Sequence, residues 1–238
     1  MKIVMIHGQS HKGSTYHIAR QVKEALINSD EKSDVKEFFL PIDGPGFCRG
    51  CFKCVVEGSQ KCPDADKVQP IISAMLDSDI IVTDSPTYVL EMSGQLKAFF
   101  EHMGYMWMSH RPEEAMFSKK VIAISTAAGM GHENVVKAIN KQFFYLGAAK
   151  CYSLAFAVGS TTWNDVKDEK KNKIAKEVSK LSAKIIKTKD KNKVSIKTKF
   201  MFWMMRLMQK MNKWTPIDKE YWQEKGWLKR KRPWKNKK

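Results

Sequence analysis

The sequence predicts an α/β protein whose core is a three-layer, doubly wound sheet of five parallel strands. Short apolar runs alternate with amphipathic helical patterns over the first 187 residues. This alternation is typical of parallel strands joined by right-handed helical crossovers, with helices on both faces of the sheet. Loops rich in Gly, Ser, Thr and Pro follow several of the runs, and such sheets bind ligands at the carboxyl ends of their strands.

The predicted strands and helices follow one another in strict alternation. Five short runs of mainly apolar residues are predicted to be strands, at residues 2–6, 35–40, 79–84, 120–125 and 151–157. After each run, apolar residues recur three and four positions apart, as on the buried face of a helix. These helical patterns cover residues 18–26, 68–76, 96–103, 133–146 and 165–187.

Positive charge is concentrated in the last fifty residues. The chain carries a formal net charge of +17, yet residues 1–188 hold 25 basic and 21 acidic side chains, whereas residues 189–238 hold 17 and 4. We therefore predict a nearly neutral globular domain at residues 1–187, a linker at 188–194 and a basic amphipathic helical tail at 195–238. This asymmetry argues against a nucleic-acid-binding function for the whole protein.

The loop after the first predicted strand has the composition of a phosphate site. Ser10, Lys12, Gly13, Ser14 and Thr15 lead directly into a helix, whose free amides favour an anion. The loop lacks the glycine spacing of a dinucleotide-binding loop and the Gly-Lys-Ser/Thr ending of a P-loop NTPase. The alternative is that Ser14 or Thr15 only caps the helix, but a cap needs a single hydroxyl.

Three segments resemble the NAD(P)H-dependent FMN reductase family, which has a flavodoxin-like fold. They are GQSHKGST at residues 8–15, DSPTY at 84–88 and GQLKAF at 94–99. The resemblance covers about residues 1–185 and implies an FMN-dependent oxidoreductase in which the flavin, not a protein side chain, carries the chemistry. The FMN-binding residues that it implies are Ser10, Lys12, Gly13, Ser14, Thr15, Pro86, Thr87, Tyr88, Ser125, Thr126, Ala127 and Gly129.

Four of the five cysteines lie close together in the sequence, at Cys48, Cys51, Cys54 and Cys62. Four thiolates at this spacing can hold one iron–sulfur cluster or one tetrahedral Zn²⁺ ion. The spacing resembles that of iron–sulfur flavoproteins, relatives of the reductases above, which implies a [4Fe–4S] cluster beside FMN. Two alternatives stay open: free thiols packed over the flavin, and redox-sensitive thiols that form reversible disulfides.

The tail carries apolar residues at helical spacing from residue 195 to 212, with lysine and arginine between them. We predict a basic amphipathic helix that packs on a neighbouring subunit of a homodimer or homotetramer. Contact with an anionic membrane surface is the alternative.

Together these observations predict an FMN-dependent oxidoreductase that passes reducing equivalents from NAD(P)H or a reduced carrier to a small acceptor such as a flavin or quinone. One alternative is a non-enzymatic electron-transfer flavoprotein that carries FMN and a [4Fe–4S] cluster. Another is a module whose tail binds an acidic membrane or, less favoured, nucleic acid. No apolar run is long enough to span a membrane, and the first run is too short for a signal peptide, so we expect a cytoplasmic protein.

Overall fold

A parallel five-stranded sheet forms the centre of the molecule, in the order β2-β1-β3-β4-β5. The computed structural model describes residues 1–28, 32–188 and 193–235. The strands are β1 (Lys2–His7), β2 (Asp34–Phe39), β3 (Ile80–Pro86), β4 (Lys120–Ala127) and β5 (Lys150–Ala157), and all neighbouring pairs are parallel. The predicted doubly wound, flavodoxin-like α/β fold is confirmed.

Helices cover both faces of the sheet. In chain order they are α1 (Ser14–Ile27), α2 (Leu40–Asp43), α3 (Lys53–Val56), α4 (Ala65–Asp77), α5 (Gly94–His102), α6 (His132–Tyr145), α7 (Asp168–Lys187), α8 (Ile196–Met211) and α9 (Pro216–Glu224). Alternate residues of a strand point to opposite faces of the sheet. Val4 therefore packs with α4, α5 and α6, whereas Ile3 packs with α1 and α7.

β3 and β4 run further than their apolar patterns indicate. The predicted strands end at residues 84 and 125, whereas β3 continues to Pro86 and β4 to Ala127. Pro86 pairs with Thr126 in the parallel ladder, so backbone pairing carries the strands on through polar residues. Thr126 and Ala127, which lie beyond the predicted strand, are strand residues at the carboxyl edge of the sheet.

The tail folds onto the body of its own chain. α8 lies where the pattern predicts a helix, and Phe202, Trp222 and Trp227 form a third core with Met108 and Phe117 of the body. One side of α8 is thus covered within the chain.

The linker predicted at residues 188–194 falls mainly outside the described residues, which omit 189–192. In the part of the chain that the structure describes, no helix is both long and apolar enough to cross a bilayer.

Candidate functional site

A cleft of about 330 Å³ opens at the carboxyl ends of the strands. Its walls are the loops after β1, β3, β4 and β5, the edge at which doubly wound sheets bind ligands, and its volume is that of a small-molecule site. Eight of the twelve predicted FMN-binding residues line it: Gly13, Ser14, Thr15, Pro86, Thr87, Tyr88, Thr126 and Ala127.

The other four predicted residues lie outside the lining of the cleft. Ser10 and Gly129 are exposed in their loops. The Nζ atom of Lys12 lies 5.6 Å from the centre of the Tyr16 ring. Ser125 is fully buried in β4. Contact between these four residues and a cofactor therefore stays a prediction.

The amino-terminal end of α1 forms one end of the cleft. Gly13 is the N-cap residue, and among the described residues no side chain caps this helix. Ser14 and Thr15 instead occupy the first turn, which contains no acidic residue, and both are buried in the cleft wall. The alternative that one of them only caps the helix is wrong. The first-turn N–H groups and the positive end of the helix dipole are thus left for an anion.

Hydroxyl groups tie the loops around the cleft together. Thr15 Oγ1 lies 2.6 Å from Thr126 Oγ1, which joins the start of α1 to the end of β4. Thr87 Oγ1 lies 3.1 Å from Ser125 Oγ, and the Thr87 amide donates to the Thr126 carbonyl at 2.9 Å. These bonds hold the start of α1, the end of β4 and the loop after β3 in fixed relative positions.

A strained turn borders the cleft after β3. Tyr88 and Glu91 exchange two backbone hydrogen bonds, at 2.9 and 3.0 Å. The two residues between them, Val89 and Leu90, have φ values of 49° and 66°. Positive φ is unfavourable for a β-branched residue, and such strain concentrates at functional sites. Val89 is also 97% exposed, so burial does not compensate for this strain.

A buried histidine–carboxylate pair underlies the cleft. His7, at the end of β1, places Nδ1 2.5 Å from Oδ2 of Asp84, which lines the cleft. Nε2 of His7 lies 3.4 Å from Oε2 of Glu37, and its ring stacks on Phe39 at 4.5 Å. Burial opposes the charged imidazole, but the two carboxylates outweigh it and raise the pKa of His7.

The four clustered cysteines lie in and around α3, between β2 and α4: Cys54 is within the helix, Cys48 and Cys51 precede it and Cys62 follows it. All five cysteines lie among the described residues and none forms a disulfide. Burial and the neighbouring thiols raise the pKa of Cys54, and burial also raises that of Cys62. The thiols are therefore close enough to disfavour one another's ionisation. Cys151 stands apart in β5, where burial raises its pKa to about 12.

One of these thiols contacts a buried histidine. Cys62 Sγ lies 3.3 Å from His102 Nδ1, and His102 Nε2 lies 3.0 Å from the Gly46 carbonyl oxygen. A carbonyl only accepts hydrogen bonds, so Nε2 carries a proton and Nδ1 is the ring nitrogen that faces the Cys62 thiol. Donor atoms of Cys62, Asp64 and His102 lie within 4.8 Å of one another.

An arginine connects the cysteine loop to the tail. The Arg111 guanidinium donates to the carbonyl oxygens of Cys54, at 2.7 Å, and Val55, at 3.0 Å. It also donates to Oδ1 of Asp218, a fully buried residue of α9. Oδ2 of Asp218 lies 2.7 Å from His110 Nδ1. Asp218 of the tail therefore fixes the position of the Arg111 guanidinium, which in turn is bonded to α3.

Half of the cleft lining was not predicted from the sequence. These residues are Gln9, His11, Tyr16, Asp84, Ala128, Val158, Ser160 and Thr161. The loop after β5 offers a usable signal, because the carboxyl end of the fifth strand meets the same edge as the other strands. Gly159, Ser160 and Thr161 follow that strand after the single residue Val158.

Comparisons with known proteins agree with this geometry. The sequence model of a family described as NADPH-dependent FMN reductase matches residues 1–162. An iron–sulfur flavoprotein of Archaeoglobus fulgidus is 26% identical over 233 residues, which cover 96% of this chain and 100% of the relative. An iron–sulfur flavoprotein of Clostridioides difficile is 26% identical over 178 residues, 74% of this chain and 76% of the relative. The crystal structure of an azoreductase from Bacillus anthracis matches with a TM-score of 0.62 at 14% identity, covering 77% of this chain and 99% of that one.

Proposed function

The chain belongs to the NADPH-dependent FMN reductase family and is an oxidoreductase, and from this premise we propose that it binds FMN in the cleft. We further propose that it passes reducing equivalents from NAD(P)H or a reduced carrier to a small acceptor. When bound, FMN supplies hydride and electron transfer, and the protein supplies binding and orientation.

The uncapped start of α1 is the observation that carries this proposal. A phosphate group needs N–H donors, hydroxyl groups and positive potential, and Ser14 and Thr15 provide them at one end of the cleft. Lys12 lies in the same loop and adds a positive charge nearby. In our proposal Thr87 and Tyr88 lie along the flavin and ribityl chain.

Residues on the opposite wall complete the proposed FMN site. Thr126 and Ala127 lie there at the end of β4, where the bond from Thr126 to Thr15 connects the two ends of the cleft. Asp84 lines the floor, and its bond to His7 fixes the orientation of its carboxylate. These residues position the cofactor, and no side chain of the cleft is required as a nucleophile.

Acidic substitution at the start of α1 tests the site. Thr15→Glu places a carboxylate against the phosphate and should weaken FMN binding by about 100-fold, measured by flavin fluorescence. Ser179→Glu, on the exposed side of α7, makes the same charge change elsewhere and should leave binding unchanged. Equal FMN affinity in Thr15→Glu and wild type, with both folded by circular dichroism, would contradict the proposed site.

Turnover separates an enzyme from an electron carrier. Steady-state oxidation of NADPH and NADH by the FMN-loaded chain is measured with a quinone or free flavin as acceptor. We expect turnover that Thr15→Glu abolishes and Ser179→Glu retains. Rapid exchange of electrons with a reduced carrier protein, without nicotinamide oxidation, would instead support the electron-transfer alternative.

The cysteine loop supports a second redox centre in the same protein. The Archaeoglobus and Clostridioides relatives are both named iron–sulfur flavoproteins, and the first of them matches 96% of this chain. We propose that Cys48, Cys51, Cys54 and Cys62 hold an iron–sulfur cluster, which supplies one-electron transfer when bound. His102 is placed to accept the Cys62 proton, since thiol ligands must lose their protons on binding metal.

Iron and sulfide analysis of anaerobically purified protein tests this second centre. We expect four irons per chain, no assembly in Cys51→Ser and an air-labile site in Cys62→Ser, with FMN affinity retained in both. Cys151→Ala is the matched control, because Cys151 lies in β5 and is not one of the four proposed ligands, and it should keep the iron. Four titratable thiols without iron would leave a plain FMN reductase.

A further inference from the structure

α8 exposes a continuous row of large apolar side chains on the side that faces away from the body. Phe200, Trp203, Leu207, Met208 and Met211 recur at three- and four-residue spacing, and all are exposed, Met211 at 75%. Trp214, just beyond the helix, is 94% exposed. We call these six residues the α8 face. Apolar patches of this kind mark interaction sites rather than ordinary surface.

The body already occupies the other side of the same helix. Thr198, Phe202, Arg206 and Gln209 are buried there, and the Gln209 amide donates to the Ser109 carbonyl at 2.6 Å. The helix is therefore anchored along its length, and the α8 face cannot turn inward without breaking the third core. Whatever covers it must come from outside the described part of the chain.

Positive charge surrounds the α8 face. Lys197, Lys199, Lys210 and Lys213 are exposed on or beside the helix, and the sequence contains no acidic residue between 191 and 217. Lys210 also shares a shallow surface depression with basic residues that follow α9, namely Lys229, Arg230 and Lys231. The charge of the tail is thus gathered around the apolar row.

This charge favours a membrane over a second copy of the chain, the two occupants that the sequence suggests for the helix. In a two-fold dimer the same patch meets itself, so the lysines of both copies would approach one another without a carboxylate on α8 to pair with. An anionic lipid surface supplies the opposite charge and an apolar layer beneath it. Tryptophan also favours the boundary between water and lipid.

We propose that the α8 face docks this protein on an anionic lipid bilayer. α8 lies parallel to the membrane plane, with Phe200, Trp203 and Met211 among the acyl chains. Lys199 and Lys210 lie among the headgroups, since long basic side chains extend toward the polar layer. The inference does not depend on the cofactors, because the cleft lies on the carboxyl edge of the sheet and the α8 face lies on the tail.

Sedimentation of the full chain with lipid vesicles tests the proposal. We expect binding to phosphatidylglycerol–phosphatidylcholine vesicles, weakened by added salt, and little binding to phosphatidylcholine alone. The double variant Trp203→Ser/Met211→Ser should lower the partition coefficient by about tenfold or more through lost apolar burial. Lys199→Glu/Lys210→Glu should remove the preference for anionic lipid. Thermal unfolding confirms that each variant is folded.

Two controls distinguish membrane docking from a net-charge effect and from self-association. Lys176→Glu/Lys180→Glu makes the same charge change on exposed positions of α7 and should leave vesicle binding close to wild type. If it lowers vesicle binding as much as Lys199→Glu/Lys210→Glu does, net charge alone explains the binding and the proposal is overturned. Light scattering should give the same particle mass for wild type and Trp203→Ser/Met211→Ser. No binding to anionic vesicles would overturn the proposal, and a lower mass in that variant would assign the α8 face to a second copy instead.

Discussion

Removing the Asp218 carboxylate should loosen the cysteine loop, although the two are far apart in sequence. Asp218 is fully buried and accepts hydrogen bonds from Arg111 and His110. Arg111 in turn donates to the carbonyl oxygens of Cys54 and Val55. In Asp218→Asn the guanidinium loses its counter-charge in a largely buried position, and its grip on α3 weakens.

The expected size of the effect follows from burial. Breaking a buried ion pair by removing one partner costs about 3–5 kcal/mol. His110 is about one-third exposed, so water compensates part of the loss, and we expect Asp218→Asn to lower the free energy of unfolding by about 3 kcal/mol. Arg111→Met also removes the two carbonyl contacts, each worth about 1.5–3 kcal/mol as a hydrogen bond to a charged group.

Two measurements separate global from local effects. Urea unfolding followed by tryptophan fluorescence gives the global loss, since the Trp222 indole donates to the His110 carbonyl at 2.6 Å. The rate of Cys54 alkylation in metal-free protein reports the loop. We expect that rate to rise by about tenfold or more in Arg111→Met, which corresponds to about 1.4 kcal/mol, and by less in Asp218→Asn.

An exposed acid of the same helix is the matched control. Glu220→Gln removes one negative charge from α9 without touching Arg111, and it should change neither quantity. If Arg111→Met lowers global stability but leaves Cys54 alkylation unchanged, the loop is held by other contacts and the reasoning fails. A double-mutant cycle between Arg111 and Asp218 should be strongly non-additive, because the two residues share one network.

Three further predictions follow from the cleft. Because the pKa of His7 is raised, its charged form should stabilise the fold below about pH 6.5 and lose this contribution as pH rises through the folded-state pKa. The difference in free energy of unfolding between wild type and His7→Gln, measured in urea, should therefore be larger at about pH 6 than at about pH 9. A difference that grows with pH contradicts this. Val89→Asn/Leu90→Gly suits the positive φ values of the turn and should raise stability by roughly 1–2 kcal/mol in thermal unfolding; a lower melting temperature would show that the turn is not strained. Gly131→Ala places a Cβ 2.8 Å from Thr87 Cγ2 at a φ of 95° and should weaken FMN binding. Gly104→Ala, with open space around its Cβ, should not. Equal FMN affinities of Gly131→Ala and wild type would remove Thr87 from the proposed site.

The fold was accessible from the sequence because its signals are local. Each strand is a short apolar run and each crossover a helical stripe, so the order of elements and the parallel sheet follow from periodicity alone. The ends of β3 and β4 were not accessible, because Pro86 and Thr126 join the sheet through their pairing with each other. The register of two paired strands depends on both of them, so the sequence of either strand alone does not show where the pairing ends.

The candidate site divides in the same way. Loops that directly follow a strand, such as that of Ser14 and Thr15, can be recognised in the sequence from their amino-acid composition. Contacts across long separations are not: His7 meets Asp84 77 positions away, and Arg111 meets Asp218 107 positions away. The partner of a lone histidine or arginine is chosen by the packing of the whole chain. The same holds for α8, which has apolar residues on two sides. Packing of Phe202 in the third core determines which side faces the body and which is exposed.

The link from Asp218 to the cysteine loop also sets an order of events during synthesis. Chains emerge amino-terminal end first, so Cys48 to Cys62 and Arg111 leave the ribosome well before α9 exists. Throughout that interval Arg111 lacks the carboxylate that holds it in the folded chain. Arrival of α9 supplies this carboxylate and fixes Arg111 against the carbonyl oxygens of Cys54 and Val55. The support of the cysteine loop is therefore completed by one of the last parts of the chain to be made.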